Sequence, residues 1–197
     1  MKQLLPIATA LLLVACTAIP VKTLYKLATA DLMTVDPTLL RVAAQMPDWV
    51  APRPDGVKLE LGMKRDGETP INERFNLEAI PLALEGKTLA DAAKPGYQLY
   101  AYRLAPADIP RLQHFRDTLK AKKADGGKKA ETSMGVGVDA CRKTELPAGK
   151  IPATTFLQLD RESGYLPLLV DYDLRQKVDG KELATLIPPC TTHLGRF

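Results

Sequence analysis

Four carboxylates crowd one short stretch of this chain: Asp160 and Glu162, then Asp171 and Asp173 beyond a turn at Glu162-Ser163-Gly164. Residues two apart in a strand point to the same face, so Asp171 and Asp173 are expected side by side. Such a set could bind calcium or supply the acid/base pair of a glycosidase. The competing reading, that they form the polar face of a half-buried hairpin, is preferred, because nothing in the sequence marks a raised carboxyl pKa. Cys190 and His193 form a C-x-x-H spacing to which Cys141 could add a third ligand. Structural zinc takes four ligands, and His114, the other of two histidines, lies on an expected helix away from them. There is no G-x-S-x-G elbow, P-loop or dinucleotide fingerprint. Gly135-Val136-Gly137 sits inside an expected strand and reads as a bulge or a close backbone approach. No catalytic residue, metal site or cofactor is therefore assigned, and a non-catalytic role is expected.

Lys120, Lys122, Lys123, Lys128 and Lys129 gather around the Lys-, Gly- and Ala-rich stretch 120–131. One reading is a contact with anionic headgroups or an acidic partner. The preferred one is a solvated helix end, where cations complement the dipole. No aromatic platform is interleaved with these lysines, and the chain carries only 27 basic against 23 acidic side chains. A nucleic-acid partner is not expected from that balance.

The first residues carry an address. Met1 and Lys2 precede an apolar run from Leu4 to Val14, interrupted by Pro6 and Thr9. A positive start, a short apolar core and small residues before a break describe a secretory signal. The run ends in Leu13-Val14-Ala15-Cys16, which resembles the lipobox of bacterial lipoproteins at all four positions. The resemblance covers the leader alone. It implies cleavage before Cys16, a thioether-linked diacylglycerol on that cysteine and usually an acylated N-terminus. Two or more acyl chains hold a protein stably on a membrane where one does not. Thr17 is not the Asp that retains enterobacterial lipoproteins in the inner membrane, so the resemblance points to the outer membrane, facing the periplasm. A transmembrane anchor over Leu4 to Val21 is the poorer reading, since Pro6, Thr9, Cys16, Thr17 and Pro20 interrupt it. A plain cleavable signal with a coincidental cysteine is the other alternative.

Export changes the meaning of the remaining cysteines. In an oxidising compartment Cys141 and Cys190 read first as a disulfide, with metal binding and free thiols as alternatives. The bridge would close a long loop and tie the C-terminus, after Pro188-Pro189, to a strand of the domain.

The elements that must position these groups follow from pattern. Sixteen prolines in 197 residues, scattered from Pro6 to Pro189, favour short strands and loops over long helices. Strands are expected near Thr23–Ala28, over Leu40–Met46, half-buried with Leu40, Val42 and Ala44 on one face and Arg41 and Gln45 on the other, and over Val57–Arg65, where Val57, Leu59, Leu61 and Met63 alternate with polar residues. The stretch Pro47 to Gly56, with three prolines, is expected as a loop anchored by Trp49. Asp66-Gly67 should turn the chain into an antiparallel strand over Arg74–Leu84, with Phe75, Leu77 and Ala79 on one face. Tyr97–Leu104, Lys129–Arg142, Ala153–Arg161 and Tyr165–Gln176 complete the expected strands. Ile109, Leu112, Phe115 and Leu119 recur at helical spacing, which predicts one amphipathic helix from Ala107 to about Ala124. Asp179-x-x-Glu182 reads as a capping box before a short helix.

The expected class is mainly β, a β-rich α+β chain: an antiparallel β-sandwich-like domain of about eight short strands with one amphipathic helix. Residues 1–15 read as signal peptide, 16–30 as lipidated N-terminus and tether, and 31–197 as one globular domain. The functional expectation is a lipid-anchored envelope protein that binds or supports another envelope component. Two alternatives stand beside it. One is a periplasmic glycan or small-molecule binding module using Trp49, Tyr97, Tyr100 or Tyr102; the other is a hydrolase using the hairpin carboxylates.

Overall fold

A computed structural model describes residues 20, 23, 34–85, 87–124, 130–177 and 183–190. Cys16 and the leader, the tether apart from Pro20 and Thr23, Lys128 and Lys129, the Asp179/Glu182 pair and His193 lie outside the described residues. So does most of the strand expected near Thr23–Ala28; Thr23 itself is helical and buried.

Seven antiparallel strands form one curled sheet. They are β1 (Arg41–Pro47), β2 (Val50–Arg65), β3 (Ile71–Ile80), β4 (Tyr97–Leu104), β5 (Ala130–Arg142), β6 (Pro152–Gln158) and β7 (Leu166–Asp173). Their spatial order is β5-β2-β3-β4-β1-β6-β7. The mainly-β class holds, with seven strands among the described residues rather than about eight. Three helices whose bounds lie among the described residues accompany them: α1 (Lys87–Ala90), α2 (Ile109–Ala124) and α3 (Leu183–Leu186).

The alternation in β2 and β3 does what a period of two demands. Val57, Leu59 and Met63 are buried, and Leu59 stands opposite Phe75 across the hairpin. Strand β3 serves two neighbours: Ile71–Asn76 pairs with β2, then Leu77–Ile80 pairs with β4. That handover bends the sheet, so that its concave face closes around Val42, Leu59, Phe75, Leu104 and Leu157. Leu112, Phe115 and Leu119 of α2 complete this core, each worth roughly 1.5–3 kcal/mol when fully buried. The Phe115 and Phe75 rings meet edge to face at 6.0 Å. A 3-10 turn, Pro106–Asp108, starts the helix, with Pro106 at its first position, where a missing N–H costs nothing.

Four expectations need correcting. The first concerns Pro47–Gly56: Pro47 ends β1, Val50 onward is strand, Pro52 still pairs with Ala140, and Pro54 falls in the bulge between Pro52 and Val57 in the β2–β5 ladder. Only Asp48-Trp49 connects β1 to β2, and those two strands do not pair. Second, β1 is not half-buried. It sits between β4 and β6, and Ala43 on its reverse face packs with Leu89, Leu99, Ala101 and Phe156. Gln45, also buried, donates through Nε2 to the Ala92 carbonyl, which satisfies it. Third, β3 ends at Ile80, Ala79 is exposed, and Leu82–Leu84 forms a 3-10 turn. Fourth, the β2–β5 register runs unbroken past Gly135 and Gly137, so the glycine triplet holds no bulge. A Cβ on Gly137 would meet Glu60 Oε1 at 3.1 Å, whereas Gly135 faces open space.

Cys141 and Cys190 form a disulfide with 4.8 Å between their Cα atoms. Beside it, Arg142 and Pro189 make a parallel bridge. The Arg142 amide donates to the Pro188 carbonyl at 2.9 Å, and the Cys190 amide donates to the Arg142 carbonyl at 2.8 Å.

Candidate functional site

A sheet that curls without closing leaves a seam between its first and last strands. Here that seam is a cleft of about 530 Å³ between β5 and β7. Val136, Val138 and Ala140 of β5 form one side of its floor; Ala153 and Thr155 of β6 carry the floor across to Leu169 and Tyr172 of β7. Helix α3 closes one end, with Leu183, Leu186 and the following Ile187 against Met46. Leu183 and Ile187 are buried beside Ala44, Val50 and Ile151, while Leu186 stays 41% exposed at the mouth. An apolar floor under a few polar groups is the usual make-up of a binding site, and the volume is in the usual range.

The rim is charged. Asp55 and Gly56 lie in the β2 bulge, and Asp139 lies opposite on β5. Asp55 has φ +55°, a left-handed conformation that Asp tolerates better than most residues. A Cβ on Gly56 would lie 2.6 Å from the Asp139 carbonyl oxygen, so glycine is required for the two strands to approach. Of the basic rim residues described, Arg74 is neutralised by Glu60 at 3.0 Å, and Lys58, which donates to the uncharged Asn76 side chain, is the one cation set against the two rim acids. Among the described residues, the Asp55 and Asp139 carboxylates have neither a hydrogen-bond nor an ion-pair partner. The mouth is therefore biased toward cations.

The hairpin carboxylates do not converge. Asp171 has φ +47° and the β6–β7 register slips between Ala153 and Phe156, so the period of two that would align Asp171 with Asp173 is broken. Asp171 pairs with Lys94 at 2.8 Å. Asp173 accepts the Ile151 and Arg175 amides, each at 3.1 Å, and these bonds hold its carboxyl below the usual range. Asp160 caps the Ser163 amide in the turn. These are structural duties, each tying a carboxylate to a neighbouring amide or ammonium.

The aromatic set is dispersed as well. Tyr102 is buried in the core, where burial and the neighbouring Tyr100 push its phenol up to about 12. Tyr100 donates to the Val50 carbonyl, Trp49 packs on the cluster around Val50, and Tyr97 lies under the Lys94 ammonium at 5.9 Å. None of the four lines the cleft. His114 is exposed beside Arg111, on a hollow between α2 and β3 and away from the cleft.

Of the lysines, Lys120 is exposed and Lys122 is engaged. Lys122 pairs with Glu68 at 2.8 Å, and its carbonyl accepts from the buried Arg65. Arg65 thereby caps the end of α2 from β2, so this basic patch is partly built into the helix terminus. Lys122 first, then Arg65, holds the Glu68 carboxyl below its ordinary value.

The sequence named none of the rim acids and none of the α3 floor residues. Only the glycine triplet lay close to the mark, because Val136 and Gly137 both line the cleft. Among the described residues no group of three or more His, Cys, Asp or Glu side chains could hold a metal ion, and no helix is long and apolar enough to cross a membrane. Set against protein-family models, curated proteins and solved structures, the chain matches none of them.

Proposed function

We propose that this chain is a lipid-anchored, non-catalytic domain of the bacterial cell envelope that binds another envelope component through the β5–β7 cleft. The observation that carries the reading is the cleft itself: an apolar floor left open between two sheet edges, under two carboxylates with no partner among the described residues. Burying that floor under a partner would be favourable at roughly 25 cal/mol per Å² of apolar surface removed from water. The lipobox supplies the rest of the proposal, with Cys16 as the acylated residue on an outer membrane and the domain facing the periplasm. A second reading shares the site: the same cleft volume suits a small apolar molecule better than a glycan, which would want the aromatic side chains that lie elsewhere.

The test pairs anchorage with the cleft. Wild type and Cys16→Ala are fractionated after labelling with a palmitate analogue. A photocrosslinking residue is then placed at Leu186 in the cleft mouth or at Arg103, on the exposed face of β4. Label and membrane retention lost with Cys16, together with one discrete adduct from position 186 and none from 103, are the expected results. Label retained by Cys16→Ala, or the same adducts from both positions, would refute the proposal.

A further inference from the structure

We infer that the occupant of the cleft is an extended peptide segment of a partner protein, added as a strand to the outer edge of β5, with a Lys or Arg side chain against Asp55 and Asp139. This rests on the binding reading above and specifies its ligand.

The chain demonstrates the mode itself. Among the described residues β5 pairs along its length with β2 alone, and β7 with β6 alone. At the last residue of β5, Pro188–Cys190 takes the outer edge: the Arg142 amide and carbonyl both turn away from β2 to meet Pro188 and Cys190. In an antiparallel ladder alternate residues point their backbone groups to opposite sides. Ala140, Val138 and Val136 are therefore in phase with Arg142, and their N–H and C=O groups face the seam. Their side chains line the cleft floor. From Val136 to Ala140 this edge runs about 13 Å at roughly 3.3 Å per residue, enough to seat a segment of four or five residues.

Two features select a peptide and its charge. A small apolar molecule would cover the floor but leave a row of backbone donors and acceptors dry and unpaired, whereas an added strand satisfies them and places alternate side chains on the floor. At the rim, Glu60 neutralises Arg74, and Lys58 alone is set against Asp55 and Asp139, so an incoming cation gains what an incoming anion loses.

The experiment uses the full chain and synthetic octapeptides that alternate Val with Lys, a Val/Glu twin, and two versions of the Val/Lys peptide N-methylated at alternate residues, one for each peptide edge. Binding is followed by fluorescence anisotropy and located by hydrogen exchange. The Val/Lys peptide should bind and protect the amides of Val136, Val138 and Ala140. At least one N-methylated version should bind about tenfold more weakly or worse, from two or more lost hydrogen bonds. The Val/Glu twin should bind several-fold more weakly than Val/Lys, and Asp55→Asn with Asp139→Asn should remove that difference. Undiminished binding by both N-methylated peptides relative to the unmethylated one, or no protection at those three amides, would overturn the inference. The uncharged apolar dye Nile red separates the two levels of reading. If it binds wild type but not Leu186→Glu while no peptide binds, strand addition fails and the binding cleft stands. If neither probe binds, both fail.

Discussion

Replacing both Cys141 and Cys190 by serine should remove more stability than any other conservative change in this domain. The bridge spans 49 positions. Cross-linking a loop of that length removes unfolded-chain entropy worth about 4 kcal/mol at room temperature. Five prolines fall inside the loop, from Pro147 to Pro189, and they already narrow its unfolded ensemble, so the entropic figure is an upper bound. The native state loses something too. Without the tether, Pro188–Cys190 is held to Arg142 by two backbone hydrogen bonds, and α3 by the burial of Leu183 and Ile187. We therefore expect a loss of about 2–4 kcal/mol in urea-monitored unfolding. Hydrogen exchange should show early opening at Cys190 and Arg142 while β1 and β4 stay protected. A domain of ordinary stability holds only about 5–15 kcal/mol, so the effect is large on that scale. A loss under about 1 kcal/mol, with the Cys190 amide as protected as in wild type, would refute both the entropic argument and the view that the bridge holds α3 on the cleft.

Phe115→Ala removes a ring buried against Phe75 and should cost about 3–5 kcal/mol, read as a shift in the urea midpoint. Gly56→Ala and Gly62→Ala form a matched pair: the first drives a Cβ against the Asp139 and Arg53 carbonyls, the second against the movable ends of Ser133 and Asn72. Gly56→Ala should therefore cost about 1–3 kcal/mol and Gly62→Ala distinctly less, with thermal unfolding as the check. Burial alone would raise the Asp108 carboxyl, but the Asn76 amide and Arg111 outweigh it and hold the group below its ordinary 3.8. Its stabilising contribution is complete above that value and is lost as pH falls through the lower folded value, so Asp108→Asn should flatten the stability profile below about pH 4.

Legibility followed the reach of each pattern. The β2–β3 hairpin, the helix stripe at Leu112, Phe115 and Leu119, and strand Tyr97–Leu104 were readable because their signals are local and their periods intact. The disulfide was readable by elimination once Cys16 was assigned to the lipid. Strand β1 misled because a run of alanines fits a half-buried strand as well as a central one, and only its two neighbours distinguish them. The prolines of residues 47–56 were misread as loop formers because a bulge can break the ladder for a few residues and let it resume on the other side. Asp171 and Asp173 were misread because a single left-handed residue cancels the alternation on which their alignment depended. The cleft was invisible in the sequence for a different reason. It is assembled from β2, β5, β6, β7 and α3 by the curl of a sheet, and no spacing along the chain encodes that meeting.

The place of β1 bears on how the chain reaches this state. Among the described residues it is the earliest strand in sequence, and it lies within the sheet rather than at either edge, so its neighbours come from far downstream: Arg41 stands opposite Arg103 on one side and Gln158 on the other. Hairpin β2–β3 can zip up locally within microseconds, but β1 cannot be enclosed until β6 has been made. During synthesis the segment Val42–Met46 must wait with its apolar face and its backbone groups unsatisfied, the condition in which strands pair with the wrong neighbour. The two-residue link at Asp48-Trp49 keeps β1 beside the growing hairpin through that interval, so what remains is a search for partners by a strand already near its final position. Folding of this domain should accordingly be slow for its size, because β1 gains its second neighbour only when β6 docks.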